Sequence, residues 1–559
     1  MSDPLNGGES RRAFSPRDDH LLGIVLVLLV CSGLVQALSA LWANTSLQAG
    51  DQGAYLQLAL AQAEGRALTD GNRHPLYPAL LIPLAERDPR FFMRARWVSF
   101  GIGALLIVMM VWGEWRRGKN IAALVIAGFL SFHVQMARTL SEIWCEPLVY
   151  LLVFLLWKET ERDVERQPTG RWARPSLWGA LSGLLFLTKG TGLQVAALFW
   201  LTHVVLTPRC RATWREFGIG AAVFLTVSSP LLTWNSFQYG SPFYSFASTH
   251  NMWFDEADEI WFEDPAKLPT LGSYIATHSV TEVVGRLFRG LLLEGEMARG
   301  VLWSDWRHPE PLPFPVHLFH LLFKGLIGIA ILTGAFVSLR RRGEPLTSRW
   351  GWFYCAALVV FLVPSFGWYA QLTNEPRFLM TLVPVAAILL GRVASRGFEE
   401  MATWFPRRPS FPSPGRVCLA LVLVYTLVVA AFSLILAWRT TMVPSPTVTA
   451  LQQDLYIRLN ELPEGAKIAH GPSHGLPVWM ARGDLQWRAT PWKIDWDRFT
   501  GMLKRERIGF VLVDNETIAR RPYLERLLKP SVEKETGWKV LFRDRDLEGF
   551  FLLFETDMD

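Results

Sequence analysis

The chain has 559 residues, of which 50% are hydrophobic and 19% charged, with a mean hydropathy of +0.20. That composition excludes a string of soluble domains and indicates an integral membrane protein. The net charge of +6 is no sign of nucleic-acid binding, because a polytopic protein concentrates Lys and Arg in its cytoplasmic loops. Cys31, Cys145, Cys210, Cys355 and Cys418 stand in or beside apolar segments at no metal-ligand spacing and read as packing residues.

The first apolar run, 21–42, follows Arg11, Arg12 and Arg17. It is longer than a secretory h-region and SALWANTSL is a poor cleavage match, so it reads as a retained helix. A bilayer-length window gives about eleven spans, at 21–42, 97–113, 120–137, 143–157, 176–188, 191–207, 217–236, 314–339, 350–369, 378–395 and 417–438. Basic residues fall in alternate loops, at Arg116–Lys119, Lys158–Arg174, Arg209–Arg215, Arg340–Arg342 and Arg392–Arg416, which assigns these loops and the 1–20 tail to the cytoplasm. The expected organisation is an α-helical polytopic domain over 21–441, with external loops at 43–96 and 237–313, and an external α/β domain over 442–559.

The first external loop is the richest in chemistry. Asp51 stands where the chain leaves the membrane, Tyr55 follows four residues later, and a Gly/Asn/Pro turn carries Arg73 and His74. Charge beside hydrocarbon is costly and usually functional, although an Asp here also suits a helix N-cap and Tyr55 suits the interfacial aromatic belt. Arg87, Arg90, Arg94 and Arg96, in ERDPRFFMRARW, break the charge rule. They suit a snorkelling interfacial segment or a surface for lipid phosphates. The second loop, ARTLSEIWCEPL, places Glu142 and Glu146 four residues apart, on one face if helical; Glu142 also suits a cap, with Pro147 in a first helical turn.

Lys189 closes an apolar span in FLTKGTG, where snorkelling and phosphate binding are both open. The third external segment opens with WNSFQYGSPFYSF, carrying Tyr244, and continues into NMWFDEADE, a solvated lid or an acceptor-facing or cation-binding loop. Arg377 precedes a late span in TNEPRFLMTLVP. Beyond 442, AKIAHGP, GFVLVDN, WKVLFRD and FFLLFE read as strands, and TVTALQQDLYIRLNEL and DRFTGMLKRERI as amphipathic helices. His470 and His474 read as loop residues, since no Cys or acidic partner stands at metal spacing.

These motifs, in this order, resemble the GT-C glycosyltransferases, in particular the bacterial group related to protein O-mannosyltransferases and the lipid A aminoarabinose transferase. The resemblance rests on Asp51, Gly53 and Tyr55 after a first helix, the Gly65–Arg66 turn, Pro75, Tyr77 and Pro78, Ser141 with Glu142, Glu146 and Pro147, the Gly179–Gly192 span, Gly240 with Pro242, Phe243 and Tyr244, and Arg377, Phe378 and Pro384. It covers roughly the first 400 residues. Gln52 departs from it, standing where the family often has a second acidic residue. A metal bridge on adjacent carboxylates therefore lacks a member; a divalent cation is possible but not required by the sequence.

The resemblance implies a sugar transferase at the external face of a bacterial inner membrane. It implies a polyprenyl-phosphate sugar donor, surrounding membrane lipids, a lipid, glycan or protein acceptor, and no nucleic acid. An inverting displacement needs a carboxylate base opposite the leaving group, for which Asp51 is the candidate, with Glu142 or Glu146 as second acidic site. The departing lipid phosphate needs fixed positive charge, for which Lys189, Arg377, Arg73 and His74 are candidates. Tyr55, Tyr77 and Tyr244 are candidate substrate contacts. The competing class is a multi-pass transporter or flippase, but no internal repeat is evident and the charges gather at one face.

Overall fold

The computed structural model describes residues 16–44, 51–131, 133–164, 172–206, 211–256, 268–303, 314–340, 346–372, 375–404, 414–441, 450–471, 478–491, 494–545 and 549–557. All eleven segments read as spans are helical. The chain runs through α1 (Pro16–Ala43), α2 (Asp51–Ala63), α3 (Leu76–Leu81), α4 (Pro89–Trp115), α5 (Asn120–Leu130), α6 (Val134–Ser141), α7 (Glu146–Val164), α8 (Ala173–Thr188) and α9 (Thr191–Leu206). It continues through α10 (Arg211–Tyr239), α11 (Phe246–Thr249), α12 (Leu271–Thr277), α13 (Val280–Trp303), α14 (Phe314–Arg340), α15 (Leu346–Ala370), α16 (Val383–Trp404) and α17 (Pro414–Thr441). Among the described residues five helices are long and apolar enough to cross a bilayer, as in a multi-pass membrane protein.

Two expectations need correction. The third span, 120–137, is not one straight helix: α5 and α6 together are apolar enough for a span but meet at 69°. Gln135, Arg138, Thr139 and Ser141 give the second helix of the pair its polar residues. The segment 237–313 also contains an unforeseen long helix, α13, which buries Arg286, Glu294 and Met297 while Val284, Phe288 and Leu292 form an exposed stripe at helical spacing.

The bundle is held by close helix approaches and interhelical hydrogen bonds rather than by expulsion of water. Gly179 and Gly183, one turn apart on α8, face α10 so closely that a β-carbon at Gly179 would stand 2.2 Å from the Gly220 carbonyl oxygen. Part of the Gly179–Gly192 motif is therefore a packing seam. Gln36 on α1 donates to Ser433 on α17 at 2.9 Å.

Of the four off-pattern arginines, Arg87 and Arg96 are both engaged by other parts of the chain. Arg96 is buried and donates to the carbonyls of Leu41 and Asn44 at 2.5 and 2.8 Å, closing the end of α1. Arg87 donates to the Ala481 carbonyl at 2.6 Å and to Glu64 at 2.5 Å. It thereby ties α2 to the C-terminal region. Arg90 and Arg94 are exposed beside Glu86 and Asp88.

The C-terminal region has α18 (Ala450–Asn460), β1 (Lys467–His470), β2 (Gln486–Ala489), α19 (Trp496–Glu506), β3 (Phe510–Asp514), α20 (Asn515–Arg520), α21 (Val532–Thr536), β4 (Lys539–Arg545) and β5 (Phe550–Glu555). The four expected strands are present; β2 was not foreseen. Sheet order is β2-β1-β3-β5-β4, parallel across the first three and antiparallel beyond. One face packs on α19 through Val511 and Val513. The other, with Ile468 and Leu512, is continuous through Trp479 with the core of the helical bundle. His470 is the last residue of β1 rather than a loop residue, and His474 lies outside the described residues, as does NMWFDEADE beyond Glu256.

Candidate active site

Asp51 opens α2, and both of its oxygens are taken by guanidiniums. Oδ1 accepts from Arg73 Nη2 and Oδ2 from Arg377 Nη2, each at 2.6 Å. Burial pushes this carboxyl up, but the two arginines outweigh it and hold Asp51 well below the usual carboxylate range. The groups come from segments more than 300 residues apart.

The turn Thr69–Arg73 shapes Arg73 locally. Asp70 Oδ1 accepts from the amides of Asn72 and Arg73 at 2.9 and 2.6 Å, an Asx-type turn, and Oδ2 takes Arg73 Nη1 at 2.7 Å. Gly71 sits at φ +82°, where a side chain is disfavoured, and a β-carbon there would lie 3.0 Å from the Tyr239 hydroxyl. Tyr239 stacks on Tyr244 with centroids 4.2 Å apart. Tyr244 thus buttresses the Arg73 turn from behind.

Arg377 lies between α15 and α16. Its backbone carbonyl accepts from Tyr150 at 2.7 Å, its guanidinium lies over Trp144 at 4.4 Å, and Glu375 is an ion-pair partner at 2.9 Å. Burial opposes its charge, but Glu146 and Asp51 outweigh that and raise the Arg377 pKa. Glu146, the first residue of α7, lies 3.8 Å from Arg377 Nε and accepts from Lys189 Nζ at 2.7 Å. Lys189 also faces the Phe378 ring at 4.6 Å. Its ammonium is thus paired with a buried carboxylate.

The two glutamates separate here. Glu146 shares Arg377 with Asp51, whereas Glu142 ends α6 and pairs with Arg138 at 2.8 Å. Burial raises the Glu142 pKa despite Arg138. His74 departs further from its expected role: Nδ1 contacts the Phe186 carbonyl at 2.5 Å, and burial lowers its pKa to about 4. A neutral imidazole pinned to α8 supplies no charge to a phosphate. Tyr77 is fully buried, its hydroxyl on Ser99 at 2.5 Å, and packs edge-on to Tyr55. Tyr55 donates to Cys145 Sγ at 3.0 Å, and Arg73 lies 5.7 Å from its ring.

Sequence reasoning did not single out Trp144, Glu375 and Asp70, all adjacent to motifs but unremarkable in type, and gave Phe378 only as a motif residue and Cys145 only as a packing residue. Nor did it show what Gln52, a departure from the family pattern, does in the fold. That side chain is fully buried; its carbonyl accepts from Asn44 at 3.0 Å and from the Ile143 amide at 2.9 Å. Gln52 thus fastens the start of α2 to the loop before Glu146. Among the described residues no three His, Cys, Asp or Glu side chains converge as metal ligands, and Asp51 and Glu146 each face a cation already. The arrangement can hold an anion at Arg73, Arg377 and Lys189, and offers one carboxylate beside it.

No protein-family profile and no curated protein matches the sequence. Solved structures do. ArnT from Cupriavidus metallidurans in the apo state matches with TM-score 0.53 at 15% identity, covering 95% of this chain and 98% of that one. The chain has the fold of ArnT. The ArnT structure bound to undecaprenyl phosphate matches with TM-score 0.52 at 14% identity over the same shares. A mycobacterial arabinofuranosyltransferase, AftD, matches with TM-score 0.49 at 15% identity over 98% of this chain and 40% of that one. The ArnT likeness extends through the C-terminal sheet, beyond the reach of the sequence motifs. At such identity it establishes fold, and the reaction has to be read from the site.

Proposed function

We propose that the protein transfers a sugar from a polyprenyl-phosphate donor to a lipid, glycan or protein acceptor at the external face of a bacterial inner membrane. One observation carries this reading: Asp51, Arg73, Arg377, Glu146 and Lys189 converge from four separate segments. The fold is one in which ArnT has been solved with undecaprenyl phosphate, and basic loops alternate as expected for an external site.

The acceptor oxygen attacks the anomeric carbon, its proton passes to Asp51, and the bond from that carbon to the phosphate oxygen breaks. The lipid phosphate leaves with the electron pair, and configuration inverts. Arg377, Arg73 and Lys189 stabilise the charge that develops on it. The guanidiniums that clamp Asp51 are those a donor phosphate requires. An arriving phosphate competes for them, leaving Asp51 less compensated and more basic when the acceptor must lose its proton. Glu146 orients Lys189. Because Asp51 and Glu146 are already matched by cations, no step is assigned to a metal.

Purified protein with radiolabelled polyprenyl-phosphate sugars and membrane acceptors tests this, comparing wild type with Asp51→Asn. Transfer by the wild type and its loss in the variant is expected. Undiminished transfer by Asp51→Asn removes the base assignment, and the absence of turnover with every lipid-linked sugar favours a transporter.

A further inference from the structure

The carboxyl edge of the C-terminal sheet carries polar groups that the transfer reaction leaves unused. β2, β1 and β3 run parallel. After β1 the chain supplies its neighbour on one side, β2, and after β3 it supplies β4 and β5 on the other. Ligands of open α/β sheets bind where two adjacent parallel strands have such diverging exits. His470 ends β1 and Asp514 ends β3. Asp514 stands two residues beyond Leu512, the register partner of His470, so both side chains lie on one face.

Three atoms at this edge have no hydrogen-bond partner among the described residues: His470 Nε2, Asp514 Oδ2 and Thr517 Oγ1. All three residues are at least nine-tenths buried, where an unmatched polar atom is costly and calls for an explanation. Asp514 Oδ1 accepts from the Thr517 amide at 2.7 Å, which fixes the carboxylate with its other oxygen open. His470 Nδ1 lies 3.5 Å from the Leu512 carbonyl. A carbonyl only accepts, so Nδ1 is the donor and Nε2 an acceptor. Burial lowers the His470 pKa against the opposing pull of Asp514, keeping the ring neutral. Trp487, on β2, lies 5.8 Å from the His470 ring, and Arg521 donates Nε to the Thr490 carbonyl at 3.1 Å beyond it.

Two acceptors and a hydroxyl beside an indole suit a ligand that brings hydroxyl donors and a C–H face. One carboxylate is too few for a divalent cation site, and its charge disfavours an anion. We infer that the carboxyl edge of β1 and β3 is a carbohydrate site, where Asp514, His470 and Thr517 take the hydroxyls of a neutral sugar ring against Trp487. The site is separate from Asp51 and does not depend on transfer; under the proposed function it would hold part of a glycan acceptor.

Saturation-transfer NMR on the full chain in a sugar-free detergent, against a panel of neutral methyl glycosides, tests this. Wild type is expected to saturate ring protons of at least one glycoside. Asp514→Asn, which keeps a good N-cap for α20, and Thr517→Val should each reduce the signal at least fivefold. Asp51→Asn should keep it even where transfer is lost, which separates this inference from the transfer reading. Absence of signal from every glycoside overturns it, as does a signal indifferent to both C-terminal substitutions or abolished by Asp51→Asn.

Discussion

Two clusters of buried charge occupy opposite ends of the helical bundle, and they differ in how completely they are closed. In one, Glu114, Arg117, Lys158, Glu161 and Arg392 join α4, α7 and α16. Arg392 grips Glu114 at 2.7 and 2.8 Å and also pairs with Glu161, while Lys158 bridges both acids at 2.8 and 3.3 Å. Its carboxylates are at most 3% exposed. In the other, Glu146 is as buried, at 3%, but Asp51 is 28% exposed, so the difference lies in one acid that is open to the surface. The same residue types thus serve two ends. A network closed on itself locks helices together; one left open at a loop junction can exchange a partner for a ligand.

That contrast breaks if both clusters respond alike to mutation. The largest expected effect is on chemistry: Asp51→Asn should lower kcat by about 10²- to 10⁴-fold, the usual range for a positioned base. Its melting temperature should fall little, because Arg73 and Arg377 retain Asp70 and Glu375. A variant that loses stability but keeps kcat would make this cluster a second lock. Glu114→Gln should do the reverse, costing about 3–5 kcal/mol of stability by stranding buried cations. Turnover per folded molecule should persist, measured as active fraction against thermal unfolding.

The pH dependence sharpens the same comparison. Arg73 and Arg377 hold the Asp51 pKa low, so Asp51 stays ionised until pH falls below the usual carboxylate range. Its contribution to activity is lost only there. Arg377→Gln removes one restraint, so the acid limb of kcat/KM should move upward, with about a 10²-fold loss at pH 7 from missing charge stabilisation. An unmoved limb would show that another group titrates. His74 shifts in the same direction for the opposite reason, because burial disfavours its charged form. Its folded pKa of about 4 means that the unfolded chain binds more protons below about pH 6.5. Stability should therefore fall by up to about 3 kcal/mol as pH drops from about 6.5 toward 4, and His74→Gln should flatten that slope.

The sequence showed which segments are helical because apolar runs of bilayer length have few alternatives. It did not show the 69° bend within 120–137, since an averaged window carries no direction, and it overlooked α13, whose charges mask its apolar stripe. At the site, Asp51, Arg377 and Lys189 were legible as charges beside apolar helices. Their pairing was not: Asp51 and Arg377 are separated by 326 positions, and nothing local in either motif names the other. His74 looked like a cation by residue type, and only its depth against Phe186 removes that. The role of Gln52 was hidden because a buried carboxamide serving two loops has the same letter as an exposed one.

The smallest expected effect concerns the acid that the motif spacing left ambiguous. Glu142 pairs with Arg138, whose side chain is 54% exposed, and such pairs contribute about 0.2–1 kcal/mol. Burial already raises the Glu142 pKa, so the carboxyl is biased toward its neutral form, which glutamine imitates in shape. Glu142→Gln should therefore change kcat by less than about fivefold and barely shift melting. The same substitution at Glu146 belongs with the larger effects, because it strands Lys189 beside Arg377. If Glu142→Gln proved as damaging as Glu146→Gln, the open cluster would have to extend to the end of α6, and the acceptor hydroxyl would have two carboxylates within its approach instead of one.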